Sequence, residues 1–353
     1  MQERCATWKC GQQSPEYCIQ GKPVSPFEDL SLMDNEFDII KKYFTFSSIR
    51  DDVLIAAGDD CASVSVPGNR QLVITVDTLI SGTHFPENTC PEDIAYKSIM
   101  VNLSDLAAMG ASPAWLTLAI TLPEIDEDWL SRYAKSFAEL LERFEIDLIG
   151  GDTTRGALSI TVQAMGLCDK NNILRRDRAE PGDKIYVTGY LGEAAIGLRA
   201  IRDQLDDDNL KPCITRLNRP EARVLFAEEL VSYSRCAIDI SDGLAADLGH
   251  ILEASNCGAN ISLPSIPVSP ASRYYFDKYS EGEINWSMLL AQGDDYELCF
   301  TASSDHDSAI SELAERYGFP VSCIGEITES KKLEFIDVNG ETETIAATGF
   351  KHF

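Results

Sequence analysis

Apolar positions recur along this chain with two periods. In "EFDIIKKYF" the residues Phe37, Ile40, Tyr43 and Phe44 share one helical face, which predicts a helix over about 34–44. "PEDIAYKSIMVNLSDLAAMG" opens with Pro91 at an N1-like position and carries Ile94, Lys97, Met100 and Val101 in helical spacing. "DEDWLSRYAKSFAELLERFE" is amphipathic with acids in its first turn, the pattern of a third helix. Shorter runs between them read as strands: one near 53–56, "RQLVITVDTL" ending at Asp77, "AWLTLAITL", "DLIGGDT" as strand then turn, and "LSITVQAMGLC".

The period breaks at "RRDRAEPGD", residues 175–183, a charged stretch with a Pro-Gly pair. Beyond it come a strand, glycine turn and helix in "KIYVTGYLGEAAIGLRAIRD" and a helix in "RPEARVLFAEELV". A strand, acidic turn and helix follow in "CAIDISDGLAADLGHILEAS". Strands are expected in "ANISLPSIPVS", "YELCFTAS" and "VSCIGEIT", with a helix in "DSAISELAERYG". This mixture predicts an α/β or α+β chain of two domains, consistent with 353 residues. The expected division is a leader at 1–32, a first domain at 33–170 and a second at 171–353. The leader has scattered Cys, Pro and Gly and no apolar segment of signal-peptide type, so it reads as a disordered or adventitious extension. Its Cys5, Cys10 and Cys18 have no histidine nearby, which leaves a metal site as the weaker alternative.

The net charge of −27 changes the picture. It argues against nucleic acid or an anionic membrane as the main partner, since both require a basic face. No run of 18 or more apolar residues is present, so no membrane span is expected. An anionic substrate would need divalent cations as intermediaries. The 11 cysteines form no CxxC pair. Cys61, Cys236 and Cys299 lie in or beside apolar runs and read as reduced core residues of a cytoplasmic protein.

Asp59, Asp60, Asp77, Asp105, Asp152, Asp239 and Asp242 mostly stand at the ends of apolar runs, often beside glycines. A single such Asp is ordinarily a turn residue or helix cap. A set of this size repels itself unless cations sit among it, and hard oxygen ligands suit Mg²⁺ bridging the phosphates of ATP. Neither a Walker loop nor the protein-kinase motifs are present. "TGYLGEAAIG" could hold an anion at a helix N-terminus or be a plain tight turn. His84, within "LISGTHF", is a candidate ligand contact; His250 reads as structural, His306 as exposed, and His352 lies near the C-terminus. These histidines suggest no Ser/His/Asp set. "DDDN" at 206–209 lacks EF-hand spacing and reads as surface charge.

From Met33 to Phe353 the chain resembles the thiamine-monophosphate kinases. The resemblance is carried in order by "EFDIIKKYF", "GDDCA", "TVDTLISGTHF", "VNLSDLAAMGASPAWLTLAITLP", "LIGGDTTRG", "AIDISDGLAADLGHI", "GDDYELCFT", "CIGEIT" and "GFKHF". The wider superfamily includes aminoimidazole-ribonucleotide synthetase, selenophosphate synthetase and a hydrogenase-maturation protein. The resemblance implies two α/β domains, the first pairing with its twin in a β-barrel across a homodimer interface. It also implies transfer of the ATP γ-phosphoryl group to thiamine monophosphate. Magnesium would be held by Asp60, Thr75, Val76, Asp77, Asp105, Asp152, Asp239 and Asp242, of which Asp60, Asp77, Asp152 and Asp242 form the catalytic set. Gly151, Asp152, Arg176 and Ser241 match ATP-contacting positions; His84, Asp294 and Phe350 match positions near the thiamine substrate. Val76 stands where some relatives carry a hydroxyl, leaving only its carbonyl for a metal, and Asp294 where a glutamate is frequent.

That chemistry agrees with the composition. The nucleophile would be a phosphate monoester whose second pKa is about 6, so no strong general base is needed. Bringing two polyanions together in line is the difficulty, and metal ions with a positioned arginine relieve it. Within the superfamily, the leader cysteines lack the setting a selenophosphate synthetase wants, and the chain ends in His-Phe where the maturation protein wants Cys. A cation- or nucleotide-binding protein without catalysis should have lost some of Asp60, Asp77, Asp105, Asp152 and Asp242, and all are present.

Overall fold

A computed structural model describes residues 35–56 and 61–345. The expectations for the leader, Asp59, Asp60, Phe350 and His352 lie outside the described residues. Helix α1 (Glu36–Tyr43) starts where Asn35 accepts the N–H groups of Phe37 and Asp38, a side-chain cap. Strands β1 (Val53–Ile55) and β2 (Ser63–Val64) form a small antiparallel ribbon. Then come β3 (Arg70–Ile80), α2 (Pro91–Ala108), β4 (Ser112–Leu122), α3 (Glu127–Phe144), β5 (Asp147–Arg155) and β6 (Ser159–Asp169). Their four strands lie in the order β3-β6-β4-β5, with β4 and β5 parallel and the other neighbours antiparallel.

The second half runs β7 (Lys184–Thr188), α4 (Glu193–Arg202), α5 (Lys211–Asn218), α6 (Val224–Leu230), β8 (Cys236–Ile240), α7 (Leu244–Ser255) and β9 (Gly258–Ser262). It continues with α8 (Pro270–Tyr279), α9 (Trp286–Ala291), β10 (Glu297–Ala302), α10 (Asp307–Tyr317), β11 (Val321–Thr328), β12 (Leu333–Ile336) and β13 (Thr342–Glu343). These strands form a seven-stranded sheet in the order β13-β12-β9-β11-β7-β10-β8. Every residue of β8 and β10 is buried, which is why both read as nearly continuous apolar runs. Helix α2 packs on β3, β4 and β6 of one sheet and on β8 and β10 of the other. Covered on all sides, it is apolar around most of its circumference. Among the described residues neither sheet closes into a barrel.

The mixed α/β architecture matches the expectation, with local corrections. Strand β3 does not end at Asp77, and no turn stands at Asp152. The ladders continue through both, pairing Asp77 with Val162 and Asp152 with Ala119. The helix expected from "RPEARVLFAEELV" begins only at Val224, after a non-helical Arg223, while Arg219 before Pro220 ends α5 at φ −132°. The strand expected in "ANISLPSIPVS" stops at Ser262, where a 3₁₀ turn containing Pro264 follows. His250 is exposed rather than structural, and His306 is half-buried with its ring against Tyr233, centroids 5.8 Å apart. Cys236 and Cys299 are buried as expected, whereas Cys61 is exposed. Asp207 is more than solvated charge: its carboxylate receives Lys278 at 2.7 Å and the hydroxyls of Tyr274 and Tyr279.

Candidate active site

Helix α2 supplies the spine of the site. Thr75 Oγ1 on β3 donates to Asp105 Oδ2 at 2.5 Å. Ser104 Oγ donates to Asp239 Oδ2 on β8 at 2.9 Å. Lys97 Nζ donates to Asp294 Oδ2, in the segment before β10, at 2.6 Å. One helix thus ties acids or hydroxyls from both sheets into a single locality. A cleft of about 970 Å³ opens beside it, lined among others by Asp77, His84, Ser241, Asp242, Asp294 and Tyr296.

Two turns build the cleft floor. The Asp294 N–H donates to the Ser241 carbonyl at 2.8 Å. Gly293 adopts φ +69°, and a Cβ there would stand 2.1 Å from that same carbonyl, so only glycine fits. The N–H groups of Asp242 and Gly243 both donate to Asp247 Oδ2 at 3.0 Å, which secures the "SDG" turn from within. His84 lines the cleft with its Nδ1 accepting the Ile80 N–H at 2.9 Å, an arrangement that places the neutral ring's proton on Nε2.

The acids strain against one another. Burial, then the charge of Asp105, pushes the Asp77 carboxyl up to about 6. Asp105 is also raised by burial, partly offset by the Thr75 hydrogen bond and the Arg176 charge. Asp239 lies well above the usual carboxylate range, through burial first and then the charges of Asp105 and Asp247. Oxygen ligands that resist ionisation side by side are the environment a hard divalent cation relieves. Among the described residues no three His, Cys, Asp or Glu side chains are grouped closely enough to hold a metal alone.

Some sequence candidates stand apart from the cleft lining. Asp152 is exposed on β5, and its carboxylate accepts only the adjacent Thr153 N–H, at 2.9 Å, among the described residues. Gly151 passes so close to β4 that a Cβ would lie 1.9 Å from the Leu118 carbonyl oxygen, which fixes glycine there. Arg176, on an exposed 3₁₀ turn, acts on Asp105 and Asp239 through its charge. Val76 is 56% exposed, on the opposite side of β3 from Thr75 and Asp77. Its side chain therefore points away from the acids.

The anion reading of "TGYLGEAAIG" is corrected. The Gly192 N–H, at the start of α4, donates to both oxygens of Asp295 at 2.9 and 3.0 Å, so the chain's own carboxylate fills that position. Lys97 and Tyr296 were missed as site residues. The available signal for Lys97 was a lone cation among the apolar residues Ile94, Ala95, Ile99, Met100 and Val101 of α2.

The family model described as "AIR synthase related protein, N-terminal domain" matches residues 58–168, and its C-terminal counterpart matches 180–338. A thiamine-monophosphate kinase of Escherichia coli (strain K12) is 44% identical over 323 residues, covering 90% of this chain and 98% of that protein. The crystal structure of a thiamine-monophosphate kinase from Stenotrophomonas maltophilia K279a aligns at TM-score 0.77 and 44% identity, over 83% of this chain and 93% of that one. A structure described as "AaThiL complexed with AMPPCP and TMP" aligns at TM-score 0.71 and 27% identity, over 92% and 100%. The acids around α2, the paired turns and these similarities across most of its length place the chain in the thiamine-monophosphate kinase family of AIR synthase-related proteins.

Proposed function

We propose that this enzyme transfers the γ-phosphoryl group of ATP directly to the phosphate of thiamine monophosphate, giving thiamine diphosphate and ADP, in thiamine diphosphate biosynthesis. The observation that carries this reading is the likeness, over 92% of the chain, to a structure complexed with AMPPCP and TMP. The cleft beside α2 is the part of this molecule with oxygen donors suited to such ligands. Asp60, Thr75, Asp77, Asp105, Asp152, Asp239 and Asp242, with the carbonyl of Val76, would hold Mg²⁺. The bound ions would neutralise phosphate charge for in-line attack. Gly151 lets backbone approach the nucleotide closely, and Ser241 and Arg176 supply hydrogen-bonding and cationic groups to it. His84, Asp294 and Phe350 contact the thiamine portion.

The proposed division is a first domain at 33–170 that binds metal and ATP, and a second at 171–353. Two copies pair through the first domain. Support for this is the edge strand β3, whose Leu72, Ile74, Val76 and Ile80 expose an alternating apolar face that a second copy would cover, with barrel closure across the interface. Among the described residues no helix is long and apolar enough to cross a membrane; a cytoplasmic location is part of this proposal.

The test is incubation of the purified chain with ATP, magnesium and thiamine monophosphate, with free thiamine as a parallel acceptor. Thiamine diphosphate from the monophosphate alone is the expected result. No product from the monophosphate overturns the reading.

A further inference from the structure

The segment "GDDYEL" carries three carboxylates, and each is tied to a different element. Asp294 receives Lys97 from α2. Asp295 receives the Gly192 N–H at the start of α4. Glu297, fully buried, receives Thr188 Oγ1 at 2.5 Å, Arg223 Nε at 2.7 Å and Arg216. The last two attachments lie within the second half of the chain. Only the Lys97 bond reaches across to the helix that bears Ser104 and Asp105.

The backbone here is held away from its preferred conformation. Asp294 has φ +68° and Tyr296 φ +51°, both in the left-handed region that non-glycine residues avoid. Such a turn persists only where its surroundings fix it. Lys97 is 2% exposed and is not part of the cleft wall, whereas Asp294 keeps 29% of its side chain exposed and lines the cleft. A buried ion pair rarely stabilises a fold more than an apolar pair of equal volume would. The lysine's contribution is therefore orientation: it holds Oδ2 of a carboxylate that also bonds the Tyr296 hydroxyl and still presents part of its surface to the cleft.

We infer that Lys97 is a positioning residue for the acceptor substrate, acting through Asp294, whose cleft-facing carboxylate accepts an N–H of the substrate's amino-pyrimidine portion. This rests on the functional reading above and goes beyond it. The nucleotide is held by other groups, so the effect falls on one substrate.

The experiment is steady-state kinetics of the full chain and of Lys97→Gln, Lys97→Arg, Asp294→Asn and the Lys97→Gln/Asp294→Asn double variant, each with a thermal melt. Lys97→Gln should raise the KM for thiamine monophosphate by about tenfold or more, the scale expected for losing a charge-assisted hydrogen bond, with the KM for ATP within about twofold of wild type. Lys97→Arg should recover most of that loss, and the double variant should be no worse than Asp294→Asn. A Lys97→Gln enzyme with an unchanged KM for thiamine monophosphate, or with both KM values raised together, overturns the inference. If Lys97→Gln fails to fold, an unchanged KM for thiamine monophosphate in either Lys97→Arg or Asp294→Asn supports or overturns it respectively. Wild-type enzyme that forms no thiamine diphosphate overturns the functional reading itself, and this inference with it.

Discussion

Strand β5 carries one aspartate at its start and another inside it, and the protein uses them in opposite ways. Asp147 is buried, and its carboxylate accepts Ser48 Oγ at 2.5 Å and the N–H groups of Ile49 and Arg50 at 2.7 and 3.1 Å. It pins the segment entering β1 to the sheet. Asp152 is exposed and, among the described residues, its carboxylate has only its neighbour's N–H. The same contrast runs through the second half. Asp295 and Glu297 are buried and fully engaged, whereas Asp242 stands in the cleft wall with no protein donor to its carboxylate among the described residues. Satisfied carboxylates hold the scaffold. Those without such donors, Asp242 in the cleft wall and Asp152 outside its lining, are the ones the proposed function assigns to bound cations.

The sharpest way to break this comparison is to neutralise one acid of each kind. Asp152→Asn should lower turnover by roughly 100-fold or more while the melting temperature stays close to wild type. Near-normal turnover at saturating magnesium would remove Asp152 from the metal set. Asp147→Ala should do the reverse. It strands two backbone N–H groups and should cost about 1–3 kcal/mol of stability, read by denaturant titration, with both KM values unchanged. A third substitution tests the open sheet edge: Ile74→Asp places a charge in the centre of the apolar face of β3 and should turn a dimer into monomers in sedimentation experiments. A dimer that survives would locate the interface elsewhere. The smallest expected effect is Arg176→Ala, which should raise the KM for ATP by about tenfold and leave the fold intact. An unchanged KM would confine Arg176 to a local electrostatic role beside Asp105 and Asp239.

Much of the architecture was legible in the chain. β8 and β10 announce themselves as apolar runs because both faces are buried, and α3 as an amphipathic helix because only one face is. The short helices α5, α8 and α9 were not read, since each buries only two or three residues and so shows few apolar positions in helical spacing. The acids Asp77, Asp105, Asp239 and Asp242 were legible as a set by their setting, but their roles were not. Sequence cannot separate Asp147 from Asp152, because the donors that satisfy Asp147 come from residues 48–50, almost a hundred positions earlier in the chain. Lys97 was read only as a helical position, because its partner Asp294 is brought to it by the packing of α2 against the second sheet.

On this reading the open carboxylates bind nucleotide only through metal. Its most direct test is calorimetric titration of the purified chain with a non-hydrolysable ATP analogue, in excess magnesium and again in chelator. The account predicts saturable binding with magnesium and at least about a hundredfold weaker binding without it, since bare acids repel phosphates. Equal affinity in chelator would contradict it and assign those acids to the scaffold.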